Sequence, residues 1–283
     1  MTTDLYAVIG NPIQHSQSPF IHAAFAQQTG QALTYTRVLS PFDGFAATVA
    51  DFVRQGGKGC NITVPFKLEA VAAAARVSER AALAGAANVL DLRPDGWVAD
   101  NTDGIGLVRD IAHTGAALAG SRVLLIGAGG AAAGALGPLI EGRPREVVVA
   151  NRTPAKAQAL AERHAALAAQ HGVALQACGL QDPEGAFDIV LNSSASSLQG
   201  AEIPAPASVL RPGTLAIDLM YGPAVEPFLA WARAHGAQAH DGLGMLVEQA
   251  AEAFFIWRGV RPQTEPVRAA LREALAAKAR QQA

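Results

Sequence analysis

Val123-Leu124-Leu125-Ile126-Gly127-Ala128-Gly129-Gly130-Ala131-Ala132 is the stretch from which the fold is read. Four apolar residues run straight into G-x-G-x-x-A, and a helical period follows. That order is the strand, glycine turn and helix start of a dinucleotide-binding βαβ unit. Gly127 permits the tight turn, Gly129 lets the backbone approach a pyrophosphate, and the small Ala132 lets helix and strand pack closely. Helix amides then face the phosphates, which makes Gly127, Ala128, Gly129, Gly130 and Ala131 the cofactor-binding candidates. The next apolar run, Glu146 to Ala150, ends in Asn151-Arg152-Thr153. An NAD site presents an acid at this point to the ribose 2′-hydroxyl. Here Arg152, with Lys156 one turn on, offers positive charge to a 2′-phosphate, and Thr153 offers a hydroxyl. The pattern predicts NADP over NAD. A structural alternative is that Thr153-Pro154 caps the next helix while Arg152 and Lys156 are merely solvated.

Outward from this loop, short apolar runs alternate with longer helical stretches, the signature of an α/β chain with parallel sheets covered by helices. On the C-terminal side the strands continue at Val173 to Ala177, Phe187 to Leu191 and Thr214 to Leu219, with helices near Pro227 to Ala234, Leu243 to Trp257 and Glu265 to Ala279. On the N-terminal side strands are expected at Leu5 to Ile9, Leu33 to Val38 and Gly59 to Val64. Helices are expected near Pro19 to Gln28, Phe42 to Arg54 and Pro65 to Ala75. Ala87 to Leu92 and Trp97 to Ala99 flank Arg93-Pro94-Asp95-Gly96, which predicts a hairpin at one sheet edge. Asp103 to Ala117 is the amphipathic connector between the two series. The expected division is 1–103, 104–240 and 241–283, with the last two helices packing back on the first domain.

Composition narrows the function. The chain has 283 residues, with 22 Lys+Arg against 24 Asp+Glu, and carries no basic cluster. General nucleic-acid binding is therefore excluded. At 50% hydrophobic and 16% charged residues it can bury two cores. Cys60 and Cys178 lie far apart, so neither a disulfide framework nor a structural zinc site is indicated. The seven histidines have no ligand-like spacing, and no metal is expected; His235 and His240 read as residues of a surface turn. Met1 to Tyr6 lacks the basic start of an export signal, and the one long apolar stretch, Val123 to Ile140, holds five glycines and Pro138. The expectation is a soluble cytoplasmic protein with no membrane partner.

Three polar segments of the first series point to chemistry. Gly10-Asn11-Pro12-Ile13-Gln14-His15-Ser16-Gln17-Ser18-Pro19 follows the first strand, where α/β proteins place ligand loops. Ser16 and Ser18 present hydroxyls there, Ser18-Pro19 reads as a helix cap and first turn, and His15 reads as exposed. Asn61-Ile62-Thr63-Val64-Pro65-Phe66-Lys67 leaves the third strand, with Asn61 and Thr63 on one face. Only four lysines occur in the chain, and Lys67 sits at an otherwise apolar helix start. The helix dipole opposes a cation there, so proton exchange explains it better than structure does. Finally come Asn88 and Asp100-Asn101-Thr102-Asp103-Gly104. Asp103 read alone is a helix cap. At the junction of the two series, its carboxylate is also placed to pair with Lys67 and orient it.

Taken together, these strings resemble the shikimate dehydrogenase family, most specifically in Asn-x-Thr-Val-Pro-x-Lys at 61–67 and Asp-Asn-Thr-Asp-Gly at 100–104. Asp241-Gly242-Leu243-Gly244-Met245-Leu246-Val247-x-Gln249-Ala250 extends the match, which runs from Tyr6 to Pro266. The resemblance implies reversible NADPH-dependent reduction of 3-dehydroshikimate to shikimate, a step toward chorismate and the aromatic amino acids. It implies a substrate domain built from both chain ends around a Rossmann-type NADP domain, in a monomer or homodimer. It also implies site roles: Lys67 as acid/base beside Asp103, and Ser16 and Ser18 on the substrate carboxylate. Asn61, Thr63, Asn88, Tyr221 and Gln249 complete the pocket, while Asn151, Leu219, Gly242 and Glu79 join the cofactor set. Departures are few: Ala132 stands where relatives often carry Ser, Lys156 where Arg is common, and Leu219 where Met is common. A quinate/shikimate dehydrogenase of broader use, and a non-catalytic NADP- or shikimate-binding regulator, are the competing expectations. The regulator is disfavoured because both Lys67 and Asp103 are present.

Overall fold

The apolar runs that alternate with helical stretches become two sheets, each inside its own compact unit. A computed structural model describes residues 3–194 and 205–282. One unit comprises 1–106 with 246–283, the other 107–245.

The first unit opens with β1 (Asp4–Gly10), α1 (Ser18–Thr29), β2 (Leu33–Leu39), α2 (Phe45–Arg54) and β3 (Gly57–Ile62). It continues through α3 (Lys67–Ala73), β4 (Arg76–Val77), α4 (Glu79–Ala84), β5 (Val89–Arg93), β6 (Gly96–Asp100) and the start of α5 (Asp103–His113). Its sheet runs β2-β1-β3-β5-β6-β4. β1 pairs parallel with β2 and β3, whereas β5 runs antiparallel to β3 and β6. The expected hairpin is present as β5 and β6, but it does not form the edge. The two-residue β4 pairs parallel outside β6, because Ala75 N and Ser78 N also bond the β6 backbone. Neither β4 nor α4 is expected from the sequence; Ser78 caps α4 through its hydroxyl, which accepts from Ala81 N.

The C-terminal helices α9 (Leu243–Arg258) and α10 (Glu265–Gln282) return to this unit from Leu246 onward. Trp257 of α9 tilts over Tyr6 with ring centroids 4.9 Å apart, and its indole donates to the Leu90 carbonyl at 3.2 Å. Gly59 has no side chain because a Cβ there would stand 2.5 Å from that indole nitrogen. Ala7, Ile9, Phe52, Cys60, Ile62 and Leu90 form a core on the sheet.

The second unit carries β7 (Arg122–Ile126), α6 (Gly130–Glu141), β8 (Glu146–Ala150), α7 (Pro154–His171), β9 (Ala174–Cys178) and β10 (Ile189–Asn192). β11 (Leu215–Asp218), α8 (Glu226–Ala234) and β12 (Gln238–His240) follow. The parallel strand order β12-β11-β10-β7-β8-β9 is that of a doubly wound dinucleotide fold. It reverses between β7 and β10, and ligands of such folds bind at the carboxyl ends of the strands at that point. Short runs such as Val147-Val148-Val149 are buried on both faces, as a sandwiched parallel sheet requires. β12 is not expected from the sequence: its three residues place His240 at a strand end, and only His235 lies in the turn after α8. Among the described residues no helix is long and apolar enough to cross a membrane.

Candidate active site

The first unit gathers most of its polar candidates around one amide. α3 begins at Lys67 itself, two residues later than the sequence predicts, because Val64-Pro65-Phe66 forms the turn before it. Phe66 is fully buried and stacks on Phe45 at 5.2 Å, which anchors that turn in the core. The Lys67 carbonyl accepts from Ala87 N, tying the lysine to the residue before Asn88. Lys67 Nζ donates to Asp103 Oδ2 at 2.5 Å. Its side chain is 22% exposed and that of Asp103 9%, so the pair is open to a ligand mainly from the lysine side. Asp103 is the first residue of α5, yet its carboxylate serves this pair rather than capping the helix.

Asn88 holds the other oxygen. Its Nδ2 shares two N–H groups among three acceptors, Asp103 Oδ1 at 2.8 Å, Thr102 Oγ1 at 2.9 Å and Gln249 Oε1 at 3.0 Å. Its Oδ1 accepts from Thr102 N at 2.8 Å, a backbone donor that fixes which way the amide faces. Gln249, on α9, also donates to the Leu246 carbonyl, so both ends of its amide are oriented. Asn61 lies beside this group: its Nδ2 donates to the Asn88 carbonyl, and its Oδ1 accepts from the Tyr35 hydroxyl at 2.6 Å. Burial holds the Tyr35 phenol well above its ordinary value, keeping it a donor. Thr63 is half-buried, with its methyl against Gly10.

A charged clamp fixes the motif that carries Asp103. The Arg80 fork donates Nε and Nη2 to the two Asp100 oxygens at 2.6 and 2.7 Å, and the Ser78 hydroxyl and Asn101 N join it. Burial opposes the charge on Asp100, yet the Arg80 fork holds its carboxyl below the ordinary range. Asn101 Oδ1 in turn accepts from Asp103 N.

Ser16 and Ser18 share a hydrogen bond of 3.2 Å, and Ser16 Oγ accepts from Ser18 N. Ser18 is not the cap of α1: Gln17 occupies that position without a side-chain bond, because the serine hydroxyl turns toward Ser16. His15 is exposed.

The second unit presents the glycine loop where the strand order reverses. Gly127 has φ 107°, and a Cβ there would meet Ser193 Oγ at 2.5 Å, so both backbone and space demand glycine. At Gly129 and Gly130 a Cβ would meet nothing within 4 Å, so bare backbone at the start of α6 borders open room. Asn151 donates to the Thr153 carbonyl, and Thr153 opens α7 without making a side-chain cap. Thr153 and Pro154 thus hold the N-cap and first-turn positions that the capping alternative expects, while the Thr153 hydroxyl makes no capping bond. Arg152 and Lys156 are exposed, and among the described residues no carboxylate pairs with either. Bare backbone at the end of β7 and, past the end of the neighbouring β8, two exposed cations with no carboxylate partner among the described residues are the groups a phosphorylated dinucleotide needs. Leu219 and Tyr221 follow β11 half-buried, and burial raises the Tyr221 phenol. Gly242 is closed in: its N–H donates to the Met220 carbonyl, and a Cβ would stand 2.2 Å from the Leu219 oxygen. Glu79 is the exposed first residue of α4 in the first unit.

A shikimate dehydrogenase (NADP(+)) of Verminephrobacter eiseniae strain EF01-2 is 62% identical over 277 residues, covering 97% of this chain and 96% of that protein. The chain belongs to the shikimate dehydrogenase family. Models of that family match in three blocks: the shikimate dehydrogenase substrate-binding domain over 8–90, shikimate/quinate 5-dehydrogenase over 109–219, and the shikimate 5′-dehydrogenase C-terminal domain over 242–272. The crystal structure of an Ael1 enzyme from Pseudomonas putida aligns with TM-score 0.86 at 48% identity, over 95% of this chain and 98% of that one. Shikimate 5-dehydrogenase from Thermus thermophilus, solved with NADP(H) and shikimate, aligns with TM-score 0.84 at 30% identity, over 96% and 100%. In this family member, residue-by-residue reading of the sequence does not single out Thr102, Tyr35, Arg80 or Glu252, an α9 carboxylate 3.6 Å from Arg80 Nη1. A threonine inside Asp-Asn-Thr-Asp is the one available signal; the others pair across the sequence with partners no local pattern reveals.

Proposed function

We propose that the chain catalyses reversible NADPH-dependent reduction of 3-dehydroshikimate to shikimate, on the route to chorismate and the aromatic amino acids. The observation that carries this is the Lys67–Asp103 pair at 2.5 Å, its second carboxylate oxygen held by Asn88. Bound NADP supplies hydride donor and acceptor chemistry, and the chain has only to bind, orient and move a proton. Lys67 gives a proton to the substrate C3 oxygen in reduction and recovers it in oxidation. Asp103 keeps Nζ directed and pairs with the ammonium while it is charged. Ser16 and Ser18 hold the substrate carboxylate, and Asn61, Thr63, Asn88, Tyr221 and Gln249 complete the pocket.

For the cofactor, Gly127, Ala128, Gly129, Gly130 and Ala131 cradle the pyrophosphate. Arg152, Lys156 and Thr153 take the 2′-phosphate beside Asn151, while Leu219 and Gly242 line the nicotinamide position and Glu79 adds a contact. We place the enzyme in the cytoplasm as a monomer or homodimer, a state that light scattering reads directly. The division of labour follows the two compact units, substrate on 1–106 with 246–283 and NADP on 107–245, so the boundaries expected at 103 and 240 move to 106 and 245.

The test is purified protein with shikimate or quinate against NADP⁺ or NAD⁺, followed by nicotinamide absorbance. Turnover confined to shikimate with NADP⁺ is expected. Comparable quinate turnover would replace this reading with a broader quinate/shikimate dehydrogenase, and silence from folded protein would replace it with a non-catalytic binder.

A further inference from the structure

Arg37 stands on the edge strand β2, two residues beyond Tyr35 and therefore on the same face. It pairs in register with Val8 of β1, near the carboxyl end from which the serine loop emerges. Its guanidinium is committed to that loop: Nε and Nη2 both donate to the Ser16 carbonyl, at 3.0 and 2.6 Å. Among the described residues no carboxylate pairs with it, in contrast to Arg80, Arg122 and Arg258, which all meet acids. Between residues 10 and 19 the sequence itself holds one ionisable side chain, His15. An arginine on an edge strand also discourages edge-to-edge pairing, but that duty needs only a solvated charge. A fork fixed on one backbone oxygen gives the charge a definite place.

We propose that Arg37 determines substrate specificity: locked on the Ser16 carbonyl, it sets an unneutralised positive charge behind the Ser16 and Ser18 hydroxyls and so selects a carboxylate-bearing substrate. The proposal rests on the reading of those serines as the carboxylate-binding pair and adds the charge that two neutral hydroxyls lack. Arg37 works on ground state and transition state alike, since the carboxylate does not change in the reaction. Its removal therefore raises KM and leaves kcat.

The test compares shikimate with its methyl ester, both with NADP⁺, in the wild type and in Arg37→Met and Arg37→Lys. The wild type prefers the carboxylate. Arg37→Met lowers kcat/KM for shikimate about fivefold through KM, the upper end of what one exposed charge contact supplies. It leaves the ester within about twofold and the KM for NADP⁺ unchanged. Arg37→Lys keeps most of the preference, because charge remains while the fork is lost. A shikimate-to-ester ratio unchanged in Arg37→Met overturns the proposal, as does equal loss on both substrates. Arg37 is exposed, so both variants are expected to melt with the wild type. A wild type that turns over neither compound would instead refute the assigned reaction. Calorimetric binding of shikimate and ester then reads Arg37 separately.

Discussion

Replacing Asn88 with alanine removes the amide on which the first unit's polar site converges. The side chain is 3% exposed and carries contacts to Thr102 N, Asp103 Oδ1 and Gln249 Oε1. Thr102 N and Asp103 Oδ1 are left without that partner in surroundings that are 0% and 6% exposed. An unsatisfied buried group costs ~1–3 kcal/mol, so with two of them the variant should lose about 2–6 kcal/mol. At roughly 2–4 °C per kcal/mol for a chain of this size, the thermal midpoint should fall by about 4–24 °C. Activity should suffer separately, because Asp103 keeps Lys67 but loses the donor that fixes its plane, and Gln249 loses the donor that orients its amide. A drop of about 10–100-fold in kcat/KM for shikimate is expected at a temperature where the variant is folded, with the KM for NADP⁺ within about twofold. Differential scanning calorimetry, and initial rates taken well below the variant's midpoint, read both effects. A variant that melts with the wild type and keeps its kcat/KM would refute the reasoning that Asn88 is the hub.

Arg152→Ser should lower kcat/KM for NADP⁺ by about 10–100-fold and leave NAD⁺ within a few-fold, because a charge-assisted contact to a 2′-phosphate is lost. Equal loss with both cofactors would remove Arg152 from that role. His22 is stacked on Tyr35 at 4.2 Å, and burial takes its imidazole down to about 3. The unfolded chain, with a value of ~6.5, binds the extra proton between these limits, so stability is lost as pH falls below about 6.5. Thermal midpoints measured from about pH 7 to about pH 4.5 should fall less steeply in His22→Phe than in the wild type; parallel slopes would contradict the assignment.

The second unit is legible because its signals are local. Val123 to Ile126 followed by a glycine turn specifies strand, loop and helix within one short stretch, and the Asn151-Arg152-Thr153 strand end lies one βα unit further on. What escapes is short or exposed: β4 and β12 carry exposed residues and no periodic apolar face, and α4 is six residues long. Ser18 is misplaced as a cap because a proline in the first turn fits either Ser18 or Gln17 before it. The tertiary bond to Ser16 decides the matter. In the first unit, Lys67 and Asp103 can be paired in advance through their helix-start positions. Asn88 can be named without a reason, since its partner Gln249 stands 161 residues away. Arg80 and Glu252 are invisible for the same cause, and so is the pairing of Asp100 inside its motif: the ion network is assembled from α4, β6 and α9.

The most direct measurement is kcat for Lys67→Ala with shikimate and NADP⁺. If Lys67, held by Asp103, moves the proton at the reacting oxygen, kcat falls by about 10²–10⁴-fold while the KM for shikimate changes modestly. A Lys67→Ala enzyme with near-normal kcat would contradict the account.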